Sequence, residues 1–280
     1  MSSPLVSAEW LQANLDDPTL RIIDCRFNLM RPQQGREQYQ QGHVPGAVYL
    51  DLDADLSAPK GDRGGRHPLP AIEALAARLG AIGIGSDPAT LVVAYDDSFS
   101  AFASRLWWLL RYLGHEQVAV LDGGLAAWQA IGGKLVTETP TIAPAIFRPR
   151  PQSAWVVDSA GVKVAQASGH ILIDSREGER YRGEREPIDP VAGHIPGAQL
   201  AVWKEALDDR GYWRSPSEQQ QRWQHLPTDA NPIIYCGSGV TACVNLLSWE
   251  LAGRSPAQLY AGSWSDWCSD PENAIATGAE

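Results

Sequence analysis

The chain has 280 residues, 44% hydrophobic and 20% charged, with a formal net charge of −10. This is ordinary soluble globular composition, with length for one large domain or two average ones, each able to bury a core. The acidic balance argues against nucleic acid or an anionic membrane as the main partner, while leaving room for a local basic pocket.

At the N-terminus, Met1 to Ala13 lacks a positive start followed by an apolar core, so no secretory signal is expected. Ser7 ahead of Ala8-Glu9-Trp10-Leu11 predicts instead an N-cap and a helix. Ile22-Ile23, Leu91 to Ala94 and Val118 to Leu121 are short and rich in β-branched residues, as buried parallel strands should be. Between them, Ala71 to Leu79 and Ala101 to Leu113 carry apolar residues at helical spacing. Residues 137–152 hold Pro140, Pro144, Pro149 and Pro151 without periodicity and read as a linker. Helical stretches return at Pro216 to His225 and Thr241 to Leu251. No apolar run approaches the roughly 20 residues of a membrane helix. Strands alternating with helices predict an α/β fold with parallel sheets covered on both faces.

The two halves repeat each other. Ile23-Asp24-Cys25-Arg26, Gly42-His43-Val44-Pro45-Gly46-Ala47, a strand ending Tyr95-Asp96, and Leu121-Asp122-Gly123-Gly124 ending at Trp128 form the first series. Ile173-Asp174-Ser175-Arg176, Gly193-His194-Ile195-Pro196-Gly197-Ala198, a strand ending Tyr235-Cys236, and Tyr260-Ala261-Gly262-Ser263 ending at Trp267 form the second. The offset is about 140 to 150 positions, which marks a duplication rather than a solenoid. The expected domains are 1–138 and 153–280, joined by 139–152.

Features shared by both copies read as structure. His43 and His194 are expected to hydrogen-bond backbone in a turn, and Asp24 and Asp174 to terminate strands. Trp264 and Trp267 read as core. The position after the tyrosine differs between copies: Asp96 in the first, Cys236 in the second. Cys236 is followed by Gly237-Ser238-Gly239-Val240-Thr241 and then a helix. A strand, a glycine-bearing loop and a helix N-terminus together make a nest of backbone N–H groups that stabilises a thiolate. Cys25, Cys243 and Cys268 have no such setting and read as packing residues. None of the four cysteines forms a C-x-x-C pair, so neither zinc nor a disulfide framework is expected, and free thiols fit a reducing cytoplasm.

Two chemistries use a cysteine cradled between strand and helix. Cysteine phosphatases need an arginine six positions on, to clamp phosphate; Ala242 stands there. Sulfur transfer through a persulfide needs only the thiolate and its cradle, and fits better.

On these motifs the chain resembles the tandem-domain rhodanese family over essentially its whole length. The resemblance implies two rhodanese-like domains, a silent first copy carrying Asp96 and a catalytic second copy carrying Cys236. The loop Cys-Gly-Ser-Gly-Val-Thr is similar to the 3-mercaptopyruvate sulfurtransferase branch. An uncharged loop with a serine suits a monoanionic donor better than thiosulfate, a dianion. Arg180 matches the arginine that holds the donor's carboxylate, and Gln38 stands opposite it in the first copy. A second arginine is expected after the Glu186-Pro187 step, but Ile188-Asp189-Pro190 follow; Arg185 is the candidate replacement. The resemblance further implies a relay of Ser238, His67 and Asp53, and donor contacts from Gly237, Gly239, Val240 and Thr241. No metal or organic cofactor is expected. The expected partners are a small anionic sulfur donor and, as acceptor, cyanide, a small thiol or a thioredoxin-like protein; neither nucleic acid nor membrane is expected. The alternatives are a thiosulfate sulfurtransferase with the same nucleophile, and a non-catalytic binding module.

Overall fold

The structure, a computed structural model, describes residues 3–279. It divides into two compact units. The first comprises the chain up to Ala58, Pro70–Gln152 and Leu207–Trp213. The second comprises Pro59–Leu69, Ser153–Ala206 and the chain from Arg214 onward.

In the first unit the order is β1 (Leu5–Val6), α1 (Ala8–Ala13), β2 (Leu20–Asp24), α2 (Gln34–Gln41), β3 (Ala47–Tyr49), α3 (Ile72–Ala81), β4 (Leu91–Tyr95), α4 (Ala101–Tyr112), β5 (Val118–Leu121) and α5 (Gly124–Ala130). The second repeats it with β6 (Val156–Val157), α6 (Ser159–Ala167), β7 (Leu172–Asp174), α7 (Gly178–Tyr181), β8 (Ala198–Leu200), α8 (Pro216–Arg222), β9 (Ile233–Tyr235), α9 (Ala242–Leu251), β10 (Gln258–Tyr260) and α10 (Ser263–Trp267). The sheets run β1-β5-β4-β2-β3 and β6-β10-β9-β7-β8, the same order twice. Every pairing is parallel, with Asp24 level with Tyr95 and Asp174 level with Tyr235. Continuous apolar strands and helical crossovers produce this, because a parallel strand buries both faces.

Helix boundaries follow local chemistry. Ser7 Oγ accepts from Trp10 N at 3.1 Å and opens α1. Ser215 and Glu218 form a reciprocal capping box at α8, with Pro216 in its first turn. This helix ends at Arg222 rather than His225. All but the last two residues of α9 are buried, as befits a helix under the sheet. Each sheet has its own core. Leu11, Ile22, Val93, Leu121 and Trp128 belong to one; Val162, Leu172, Ile233, Trp264 and Trp267 belong to the other. Burying an aliphatic side chain of this size contributes roughly 1.5–3 kcal/mol, so each unit carries its own stabilisation.

The landmarks shared by the halves are structural. His43 Nδ1 bonds Tyr39 O at 2.7 Å and its ring stacks on Tyr39 at 3.9 Å. His194 Nδ1 bonds Tyr181 O at 2.8 Å and stacks on Tyr181 at 3.7 Å. Asp24 and Asp174 are fully buried and paired with Arg26 and Arg176, each at 2.6 Å.

Two features depart from the expected 1–138, 139–152 and 153–280 division. The proline-rich linker is tied down: Ala145 N donates to Gly80 O, Arg150 N to Leu113 O and Gln152 N to Tyr112 O, each at 2.8 Å. Extended backbone without periodicity still satisfies its polar groups by docking on helix ends. The units also exchange short segments. Leu207–Trp213 joins the first unit, where Trp213 N donates to Asp122 Oδ1 at 2.8 Å. Pro59–Leu69 joins the second.

Candidate active site

Cys236 follows β9 directly and is 1% exposed. Its amide donates to Ser263 Oγ at 3.1 Å, and its carbonyl accepts from Trp264 N at 3.0 Å. Gly237 O accepts from Ser265 N at 2.9 Å. The start of α10 therefore pins the Cys236 backbone, while α9 begins after Thr241 and points its amide end at the loop. Gly239 has φ +74°, and a Cβ there would collide with Ala261 O, so the turn demands glycine. Val240 is buried, and its carbonyl accepts from Cys243 N at 3.0 Å; Thr241 is half-buried at the head of α9.

Ser238 is buried, and its Oγ lies 2.7 Å from His67 Nδ1. His67 is likewise buried, and it reaches this site on the exchanged segment 59–69.

Arg180 stands over the same loop. Its Nε and Nη2 bond Glu186 at 2.9 and 2.8 Å, and its Nη2 bonds Asp189 Oδ2 at 3.2 Å. Burial alone would raise the Glu186 carboxyl, but hydrogen bonds from Arg180 and from the Asp189 amide outweigh it and hold the group below its usual value. The sequence pointed to Arg185 as the second arginine. That side chain is 64% exposed and pairs with Glu179 at 3.4 Å. The guanidinium found at the loop is Arg66: a Cβ on Gly237 would lie 3.0 Å from Arg66 Nη2 and 3.4 Å from Arg180 Nη2. Arg66 Nη1 pairs with Asp189. Arg66 has no periodic context and sits far from the loop in sequence. The signal that marks it is Gly64-Gly65 just before it, because paired glycines announce a close backbone approach.

Asp53 belongs to the first unit. It is exposed in the turn after β3, where its amide donates to Asp51 Oδ1 at 2.9 Å. Partial burial, then the neighbouring Asp51, raise its carboxyl above the usual value. The other cysteines are buried in packing. Burial, then Asp189, push the Cys268 thiol up to about 11. Burial, then Asp96, push the Cys25 thiol up as well.

The first unit builds the same cradle and fills it. Leu125 N donates to Asp96 O at 2.9 Å, as Trp264 N does to Cys236 O. The Asp96 carboxylate accepts from the amides of Ser98, Ser100, Phe102 and Ala103 at 2.7 to 3.0 Å. Burial pushes its carboxyl up to about 6, against the pull of these donors. Phe99 and Ser100, at φ +57° and +58°, are held in left-handed backbone by that ring of bonds. A cavity of about 480 Å³, lined by Arg26, Asp96, Phe99, Gly123 and Arg210 among others, opens here. Among the described residues no cysteine lines it, and the amides of Ser98, Ser100, Phe102 and Ala103 are taken by the Asp96 carboxylate. Asp96→Ala should therefore cost about 2–4 kcal/mol, by leaving four donors without their acceptor. Urea unfolding of the two proteins measures it.

Comparison with known proteins decides the family. The Rhodanese-like domain family matches residues 7–131 and 160–270, once in each half. The chain belongs to the rhodanese family, as a tandem-domain sulfurtransferase. A Pseudomonas aeruginosa protein named probable 3-mercaptopyruvate sulfurtransferase is 46% identical over 285 residues, covering 99% of both chains. The Rattus norvegicus thiosulfate sulfurtransferase is 32% identical over 288 residues, covering 98% of this chain and 95% of that one. Among solved structures, SseA of Escherichia coli, described as a 3-mercaptopyruvate sulfotransferase, superposes with TM-score 0.82 at 31% identity. That match covers 94% of this chain and all of that one. Two rhodanese domains with matching parallel sheets are thus what the repeat in the sequence indicated.

Proposed function

We propose that this sulfurtransferase takes sulfur from 3-mercaptopyruvate onto Cys236 as a persulfide, releases pyruvate, and passes the sulfur to a thiophilic acceptor. The observation that carries this reading is the 2.7 Å Ser238–His67 contact two residues from Cys236. Thiosulfate transfer has no proton to move, whereas mercaptopyruvate does, so a buried hydroxyl–imidazole pair beside the nucleophile suits the latter.

The Cys236 thiolate attacks the donor's thiol sulfur. The S–S bond forms, the C–S bond breaks, and its electron pair passes to the pyruvate enolate. The proton lost by the thiol returns to that enolate through Ser238 and His67, giving pyruvate and leaving the persulfide anion. The Cys236 sulfur and the donor sulfur are each oxidised by one level, which balances the two-electron reduction of the donor carbon. Arg180 holds the donor's carboxylate, and backbone amides of residues 237–241 receive the developing negative charge. Cyanide, a small thiol or a thioredoxin-like protein then removes the outer sulfur and restores the thiolate.

Thiosulfate is the second reading, because a relative of near-full length is named for it. Steady-state turnover with each donor separates them. The expected result is a higher kcat/KM for 3-mercaptopyruvate; a higher value for thiosulfate overturns the donor assignment. Among the described residues no helix is long and apolar enough to cross a membrane. Four cysteines, none paired in a disulfide, suit a cytoplasmic setting.

A further inference from the structure

We propose that Arg66 is the second guanidinium of the donor's anion slot, and that Asp189, spanning Arg66 and Arg180, sets the slot's charge so that it selects a monoanion over a dianion. This deepens the reading above and rests on it.

Arg66 Nη2 and Arg180 Nη1 lie 3.0 and 3.5 Å from where a Gly237 Cβ would be. Among the described residues neither nitrogen has a hydrogen-bond partner. Two spare cationic donors thus converge one residue from the nucleophile, spaced to receive a carboxylate from two sides.

Ser265 N donates to Gly237 O, and Ser265 Oγ accepts from Arg66 N at 3.0 Å. One residue therefore fixes both the nucleophile's loop and the arginine's backbone. Gly64 N donates to Asp266 Oδ1 at 2.7 Å, and a Cβ on Gly65 would collide with Gly262 O. A segment fitted this tightly to α10 gives Arg66 a defined position rather than a solvated one.

Arg66 and Arg180 are countered by Asp189 and Glu186, so the cluster is neutral before the donor arrives. The side chains of Arg66 and Arg180 are 19% and 11% exposed, those of Asp189 and Glu186 only 4% and 3%. The cations are thus the more exposed partners and the carboxylates the more buried ones. One incoming negative charge is well matched by such a slot; a second finds only Arg176, already paired with Asp174 and Glu186, and feels the carboxylates. Asp189 thereby acts as a specificity-determining residue.

The test combines kinetics with binding. Arg66→Gln should raise KM for 3-mercaptopyruvate about 10-fold or more while kcat stays within about 3-fold, and Arg66→Lys should recover part of the loss. Asp189→Asn should raise the thiosulfate to 3-mercaptopyruvate ratio of kcat/KM by about 10-fold. Binding of pyruvate to the Cys236→Ser protein, measured by calorimetry, reads the slot without turnover; Arg66→Gln in that background should weaken it about 10-fold or more. Unchanged KM and unchanged pyruvate affinity in the Arg66 variants overturn the arginine assignment. An unchanged donor ratio in Asp189→Asn overturns the selectivity assignment. Failure of the wild-type protein to take sulfur from either donor would instead count against the sulfur-transfer reading, and the pyruvate measurement would still decide the slot.

Discussion

Cys236→Ser should leave the fold intact and lower kcat/KM for sulfur transfer by at least about 10,000-fold. Serine keeps the side chain's size, and the Cys236 amide and carbonyl bonds to Ser263 and Trp264 involve only backbone on the cysteine side. The loop therefore survives. What is lost is the polarisable sulfur, and no neighbour replaces it: Cys268 is held at about 11 by burial and by Asp189, and Cys243 is buried within α9. The first domain offers no matching cysteine, because Asp96 occupies the corresponding cradle. Denaturation curves that overlay while activity vanishes are the expected pair of observations. Activity within tenfold of wild type would place the chemistry elsewhere.

Ser238→Ala should lower kcat with 3-mercaptopyruvate by about 100- to 1,000-fold, with a much smaller effect on KM. Ser238 and His67 are both buried and 2.7 Å apart, so removing the hydroxyl breaks a proton path and not an anion contact. His67→Gln should cost a similar factor, and the double variant little more than either single one, as expected of residues acting as a unit. With thiosulfate, which carries no thiol proton, the same substitutions should cost less than about 10-fold. Equal losses with both donors would make the pair structural. Additive losses would break it into two separate roles.

The duplication was legible because each half repeats its strand ends and its Gly-His-x-Pro-Gly-Ala turn, and these are local patterns. Cys236 stood out by comparison with Asp96, a contrast available within one chain. Ser238 was legible for the same reason, lying in the loop itself. Arg66 was not. Its place beside Gly237 depends on Gly64-Gly65 fitting against α10, a contact about 200 positions away in sequence that periodicity does not encode. Choosing Arg185 followed nearness to Arg180 in sequence, whereas its side chain turns to solvent and Glu179. The exchange of Leu207–Trp213 and Pro59–Leu69 was hidden likewise, because short irregular segments take their place from tertiary contacts such as Trp213 with Asp122.

The central claim is that Cys236 carries the sulfur. Intact-protein and peptide mass spectrometry after treatment with 3-mercaptopyruvate tests it most directly. The account predicts a gain of about 32 Da located on Cys236, removed by cyanide and absent in Cys236→Ser. No added mass, or added mass on Cys25, Cys243 or Cys268 instead, would contradict it.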